Sequence, residues 1–354
     1  MWIDEVPLID HHCHAVVAGD LERPDFESHL REGPRGSFDS ALGLAVRRWC
    51  APLLDLPAHA DPDDYLERRA EIGWREATSR LLGATGTMRW LLDTGFGGSD
   101  PTAFAELGGG RVHEIVRLEQ VAEQVIAESS SAATLFDDIE RALRDRLRTA
   151  VGLKSIVAYR CGLDFPLVTT APKSAPHLEN PQLQGWLVGL GARLGAEYNL
   201  PLQFHTGFGD PDLHLRHADP LLLTEFLRTT ADTGLKVILL HCWPFHRNAA
   251  YLAHAFDHVR IDIGLAIPFV GQQSSAILAE TLELAPFGSV LYASDGCGLA
   301  ERHYLGARLW RTGLRKLLDE WLASDAITPA DADRLVTALA HRNAEHTYRF
   351  PDAA

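Results

Sequence analysis

Short β-branched or apolar runs, each closed by Gly, Pro or polar residues and followed by a longer amphipathic stretch, recur along this chain. Eight of them read as strands: "VPLID" at 6–10, "RWLLDTGF" at 89–96, "HEIVRL" at 113–118, "GLKSIVAYR" at 152–160, "PLQFHT" at 201–206, "KVILLHC" at 236–242, "VRIDIGLA" at 259–266 and "SVLYASDG" at 289–296. Helical patterns lie between them, among them "TLFDDIERALRDRLRTA" at 134–150, "PQLQGWLVGLGARLGAEYN" at 181–199 and "PLLLTEFLRTTADTG" at 220–234. Parallel neighbours need a crossover, and strand–helix alternation supplies one each time. Eight such units predict an α/β chain folded as a (β/α)8 TIM-like barrel, and 354 residues fit one such domain over 1–354.

The first crossover, 20–88, is too long for one helix and carries "PDDYLERRAEIGWREATSRLLG" at 62–83, so a helical insertion over the barrel mouth is expected. Two helices over 307–350 close the chain, the second with Thr328 as N-cap and Pro329 at the first helical position. The Pro-rich "DFPLVTTAPKSAP" at 164–176 reads as a mobile loop.

Composition narrows the function classes. A formal charge of −15, from 48 acidic and 33 basic residues, opposes non-specific binding to nucleic acid or anionic membranes, and favours a small-molecule partner. No apolar run approaches the ~20 residues of a membrane span, and "MWIDEVPLID" lacks the features of a signal peptide, so a cytoplasmic enzyme is expected. Five cysteines without zinc-knuckle spacing argue against a disulfide framework. Cys13 and Cys242 read as small packing residues.

The polar residues at the run ends form a constellation. In "PLIDHHCH", His12 and His14 alternate and so share a face, with His11 facing away and Asp10 holding the turn. Lys154 falls in the fourth run, His205 ends the fifth, His241 the sixth and Asp295 the eighth. Barrel active sites are built at the carboxyl ends of strands, so these groups converge where chemistry is expected. A lone strand histidine is more often a hydrogen-bonded core residue than a ligand. The joint pattern points to one or two divalent ions, zinc first, with manganese or iron also suited to nitrogen and oxygen donors.

Lys154 is one of only four lysines and sits inside an apolar strand, where an ammonium is costly. Three readings stay open: a carbamylated lysine bridging two ions, an amine pairing with Asp295 or a substrate carboxylate, or a side chain whose head reaches solvent.

The residues so assembled, "IDHHCH" at 9–14 with Lys154, His205, His241 and Asp295, resemble the amidohydrolase superfamily. The stretches "VAYRCGLDF", "FHTGFGDPDL", "LLHCWPFHRNAAYLA", "VRIDIGLAIPF" and "LYASDGCGLAERHYLGARLWR" are similar to the amidohydrolase-like domain found fused ahead of glutamine-synthetase-like domains, here in a free-standing form. The resemblance implies that His12, His14 and Asp295 hold one metal, that His205 and His241 serve a second metal or the substrate, and that Lys154 bridges. It implies a hydrolase acting on an amide or related C–N or ester bond, with activated water as nucleophile, Asp295 relaying the proton and His241 stabilising the oxyanion. The alternative on the same scaffold is a lyase or isomerase of decarboxylase or sugar-acid type. Tyr159, Arg160, Phe208, Trp243 and Arg302 are the substrate-facing candidates, with Asp210, Phe245 and His303 nearby. The arginines suit a carboxylate-bearing substrate. A homo-oligomer is the expected assembly.

Overall fold

The computed structural model describes residues 3–96, 100–129, 133–172 and 177–351. Among these residues seven strands form one parallel sheet in sequential order: β1 (Leu8–Cys13), β2 (Thr87–Asp93), β3 (Arg111–Arg117), β4 (Gly152–Ser155), β5 (Leu202–His205), β6 (Val237–Leu240) and β7 (Val259–Ile261). The eighth predicted strand is corrected. Residues 289–296 form no ladder but an irregular segment bonded to both edges: Leu291 N–H donates to the Ile261 carbonyl (2.9 Å), and His11 N–H to the Tyr292 carbonyl (3.2 Å).

Polar side chains account for that irregularity. Asp10 accepts the Ser294 N–H (3.0 Å) where a ladder would use a carbonyl, and Asp295 takes a left-handed φ of 47°.

Period-two alternation sorts the sheet's side chains into two cores. Leu8, Trp90, Val116, Leu153, Phe204 and Leu239 belong to the large core shared with the helices. Their sequence neighbours Ile9, Leu91, Ile115 and Ile238 form a second, smaller core with Leu240, Leu291 and Tyr348 on the other face. The same parity places Asp93, Arg117, Lys154, Gln203 and His205 on this inner face, at the carboxyl ends of their strands.

Between β1 and β2 the chain runs through helical segments including Arg23–Ser28, Pro62–Ile72 and Trp74–Gly83. The single stretch read at 62–83 is broken at Gly73, whose φ of 79° ends one helix before the next begins. The strand read over 152–160 stops at Ser155, and Tyr159 and Arg160 lie on the helical turn Val157–Arg160. Thr328 caps the helix Pro329–Thr337 in a reciprocal capping box with Asp331. The Pro-rich loop falls partly on 173–176, outside the described residues. No helix among the described residues is long and apolar enough to cross a membrane.

Candidate metal centre

Backbone lacing brings the donors together. Asp295 N–H donates to the His12 carbonyl (3.1 Å) and His14 N–H to the Gly296 carbonyl (2.8 Å). The register of β1 on β2 also slips between Asp10 and Cys13, which lets successive histidines turn inward. His12, His14 and Asp295 are all buried, and one ligand atom from each lies within 4.8 Å of the others.

The tautomer of His12 follows from its neighbours. Gln203 Nε2 donates to the His11 carbonyl (3.0 Å) and to Tyr348 Oη (2.7 Å), so its Oε1 faces His12 Nδ1 at 2.9 Å. His12 Nδ1 therefore carries the proton, and Nε2 presents a lone pair. Burial, with Lys154 adding to it, pushes the His12 imidazolium down to about 3, so the ring is neutral. Its Nε2 stands 3.3 Å from Asp295 Oδ1, and His14 Nε2 stands 3.4 Å from the same oxygen. The lone pair faces both the Lys154 amine (3.0 Å) and a carboxylate oxygen, and a metal ion fits the donor set of His12, His14 and Asp295.

Other buried donors point the same way. His14 Nδ1, His205 Nε2, His241 Nδ1 and Asp295 Oδ1 have no hydrogen-bond partner among the described residues. His205 and His241 pack ring against ring at 4.6 Å, and His241 Nδ1 lies 3.9 Å from Asp295 Oδ2. Burial raises the Asp295 carboxyl, but the charges beside it, His241 first, outweigh burial and hold the group well below the usual carboxylate range. His241, Cys242 and Asp295 all have left-handed φ values of 68°, 54° and 47°, backbone strain gathered at one site.

Lys154 is buried with 2 % of its side chain exposed, which overturns the solvent-reaching reading. Its Nζ lies 3.0 Å from His12 Nε2 and 3.7 Å from Asp93 Oδ2. Burial lowers its pKa, and Asp93 opposes the shift. Asp93 in turn is gripped by Arg117 through Nη2 (2.7 Å) and Nε (3.2 Å). Among the alternatives left open for its amine, Asp295 is thus less close than Asp93, which is paired with Arg117, and both of these residues end their strands. The sequence reading missed both, and Gln203, Asp262 and Tyr348 too. His11 does not simply face away: its Nε2 meets Asp262 Oδ2 (3.0 Å) and its Nδ1 meets Tyr348 Oη (2.9 Å), both buried.

A cavity of about 1000 Å³ opens over these groups, lined in part by His14, Lys154, His205, His241 and Asp295. Tyr159, Arg160 and Arg302 also line it, whereas Phe208 and Trp243 pack against each other at 5.6 Å and do not. Tyr159 packs at a tilt against His205, 4.7 Å between ring centroids, and Gly209 makes room for both: a Cβ there would lie 2.2 Å from the Tyr159 hydroxyl. Arg302 donates to Glu32 (2.7 Å) and Arg160 pairs with Glu123. Cys13 and Cys242 are buried in the large core.

The family model described as amidohydrolase matches residues 186–350, a stretch holding His205, His241 and Asp295. A protein named as a metal-dependent hydrolase from Lactobacillus casei ATCC 334 is 27% identical, with a TM-score of 0.85 over 98% of this chain and 96% of that one. These likenesses support the amidohydrolase superfamily. Protein fluG of Emericella nidulans is 26% identical over 97% of this chain and 46% of its own length, so the chain spans about half of that relative. A uronate isomerase from Bacillus halodurans C-125 shares the fold at 16% identity, with a TM-score of 0.64 over 98% of this chain and 94% of that one.

Proposed function

We propose that this protein is a metal-dependent hydrolase that cleaves an amide, or a related ester, of a small carboxylate-bearing substrate. The meeting of His12, His14 and Asp295, beside the unpartnered His205 Nε2 and His241 Nδ1, carries this reading. A divalent ion held there, with zinc the first candidate, supplies Lewis acidity, acidifying water and polarising a carbonyl.

The chain's own groups do the rest. Asp295, kept ionised by its histidine neighbours, takes the proton of the attacking water and returns it to the leaving nitrogen. His241, 3.9 Å from that carboxylate, stabilises charge developing on the carbonyl oxygen. Arg302 and Arg160 receive the substrate carboxylate at the cavity wall, next to their Glu32 and Glu123 partners. Lys154 acts as an amine, because the Asp93 carboxylate beside it disfavours the added negative charge of a carbamate. The end of the helix Arg23–Ser28 and the loop after it serve as a cover of the mouth, since Ser28, His29, Arg31 and Glu32 line the cavity.

The test is metal content per chain by plasma mass spectrometry on protein purified without chelator, for wild type and Lys154→Ala, with amine release from a panel of N-acyl and amide carboxylates. Metal-dependent amine release and the same metal stoichiometry in both proteins are expected. Loss of one equivalent in the variant would restore the bridging lysine. Product formed without release of an amine or alcohol would move the site to lyase or isomerase chemistry, and absence of bound metal would overturn the reading.

A further inference from the structure

Nine large apolar side chains are exposed among the described residues, and two of them, Val17 and Phe96, line the cavity that contains His14 and Asp295. Phe96 is 56% exposed and Val17 38%. A single exposed phenylalanine on a convex surface is unremarkable in energy terms, but in a concave site beside candidate ligands it is surface that a bound molecule covers.

This wall is held in place. The His14 imidazole meets the Phe96 ring edge-on at 5.8 Å between centroids, and the Arg117 guanidinium stands 5.9 Å from the ring centre. Arg117 is itself clamped on Asp93. Gly95 permits that approach, because a Cβ there would lie 2.6 Å from the Arg117 side chain. Val16 is bridged to Gly298, and Val17 N–H donates to the Gly298 carbonyl at 2.8 Å. The cavity's paired charges, Arg302 with Glu32 and Arg160 with Glu123, come from other segments of the lining.

We propose that Phe96, with Val16 and Val17, seats a bulky apolar acyl or aryl group of the substrate next to His14. The identity of the bond cut rests on the hydrolytic reading, whereas the seat is a property of the cavity. Hydrophobic pockets distinguish ligands by tenfold or more for small changes in apolar size, so the seat has a measurable signature.

Binding of simple carboxylates separates the two questions, since these acids carry no amide to cleave. Titration calorimetry on protein purified without chelator would compare phenylacetate with acetate for wild type, Phe96→Ala and Phe96→Leu. Wild type is expected to prefer phenylacetate by about tenfold or more, Phe96→Ala to lose the preference, and Phe96→Leu to keep most of it. Acetate affinity should be the same in all three. Equal or undetectable binding of the two acids by wild type, or an undiminished preference in Phe96→Ala, overturns the proposal. A preserved preference without any amide hydrolysis would defeat the hydrolytic reading and leave the seat standing. Melting curves verify that truncating this exposed side chain leaves the fold intact.

Discussion

His11 and His12 are adjacent in the chain, equally buried, and have opposite surroundings. Both nitrogens of His11 are engaged, by Asp262 and by Tyr348. His12 has one nitrogen fixed by Gln203 and the other turned towards Lys154 and Asp295. His11 is held on both sides by residues of the scaffold, whereas His12 Nε2 faces the Lys154 amine and Asp295, a candidate metal ligand, and is the nitrogen a metal ion would take. The comparison extends outward: Tyr348, from the end of the chain, contacts both His11 and Gln203, so the saturated network orients the open one.

The open side should fail in chemistry. Asp295→Asn keeps the shape of the group but removes its charge and its capacity to accept a proton. Turnover on any substrate found is expected to fall by about a thousandfold or more. Metal per chain should fall with it while the melting temperature changes little. A metal-loaded variant with the wild-type rate would rule out Asp295 as the proton relay.

The saturated side should fail in stability. His11→Ala removes the partner of Asp262 Oδ2 while the His241 and Gly264 N–H groups still hold Oδ1, and leaving one buried polar atom unsatisfied costs about 1–3 kcal/mol. Burial raises Asp262, but His11 outweighs it and keeps the group below its ordinary value. A carboxylate with a lowered folded-state pKa contributes stability above the ordinary carboxylate range, lost as pH falls through the folded value. Urea unfolding of the variant at neutral pH should show the full loss, and a midpoint unchanged from wild type would mean that His11 is not the anchor described.

Much of this arrangement was legible in the sequence. Strand–helix alternation conveyed the parallel sheet, and the run-end polar residues His12, His14, His205, His241 and Asp295 were visible because imidazole and carboxylate are out of place in apolar strands. Asp93 and Arg117 also end their strands, but a single strand does not disclose that two such ends meet across neighbours. Gln203 and His12 are separated by 191 positions, and their bond depends on the register of every strand between them. The eighth segment read as a strand because Val290, Leu291 and Tyr292 make a short apolar run, whereas Asp10 takes over one of its backbone bonds and Asp295 bends it. His11 was misjudged because strict alternation holds only where the register does, and β1 slips at that point.

Gln203→Leu probes the link between the two histidines. The variant removes the acceptor for His12 Nδ1–H, so the ring can take the tautomer that blocks Nε2. Metal affinity is expected to weaken by about 10–100-fold, the usual effect of removing a partner that orients a ligand. Competition with a chelator of known affinity would measure it. Unchanged affinity would mean that backbone lacing alone holds His12.

A third histidine, remote from the cavity, sets the lower bound of these effects. His113 accepts from Arg89 Nη1 through Nε2 (3.1 Å) and lies 5.0 Å from the Phe350 ring. Burial, then Arg89 and Arg111, push its pKa from 6.5 to about 4. Between those values the unfolded chain takes up a proton that the folded chain refuses, so this residue makes stability decline as pH falls through the window. His113→Gln retains an acceptor for Arg89 without a titrating ring. Its melting temperature should therefore fall less steeply than that of wild type between pH 6.5 and 4, by a margin smaller than the effects at His11 or Asp295. Parallel curves would show that His113 is relieved by local motion and that burial alone does not distinguish it from the histidines of the site.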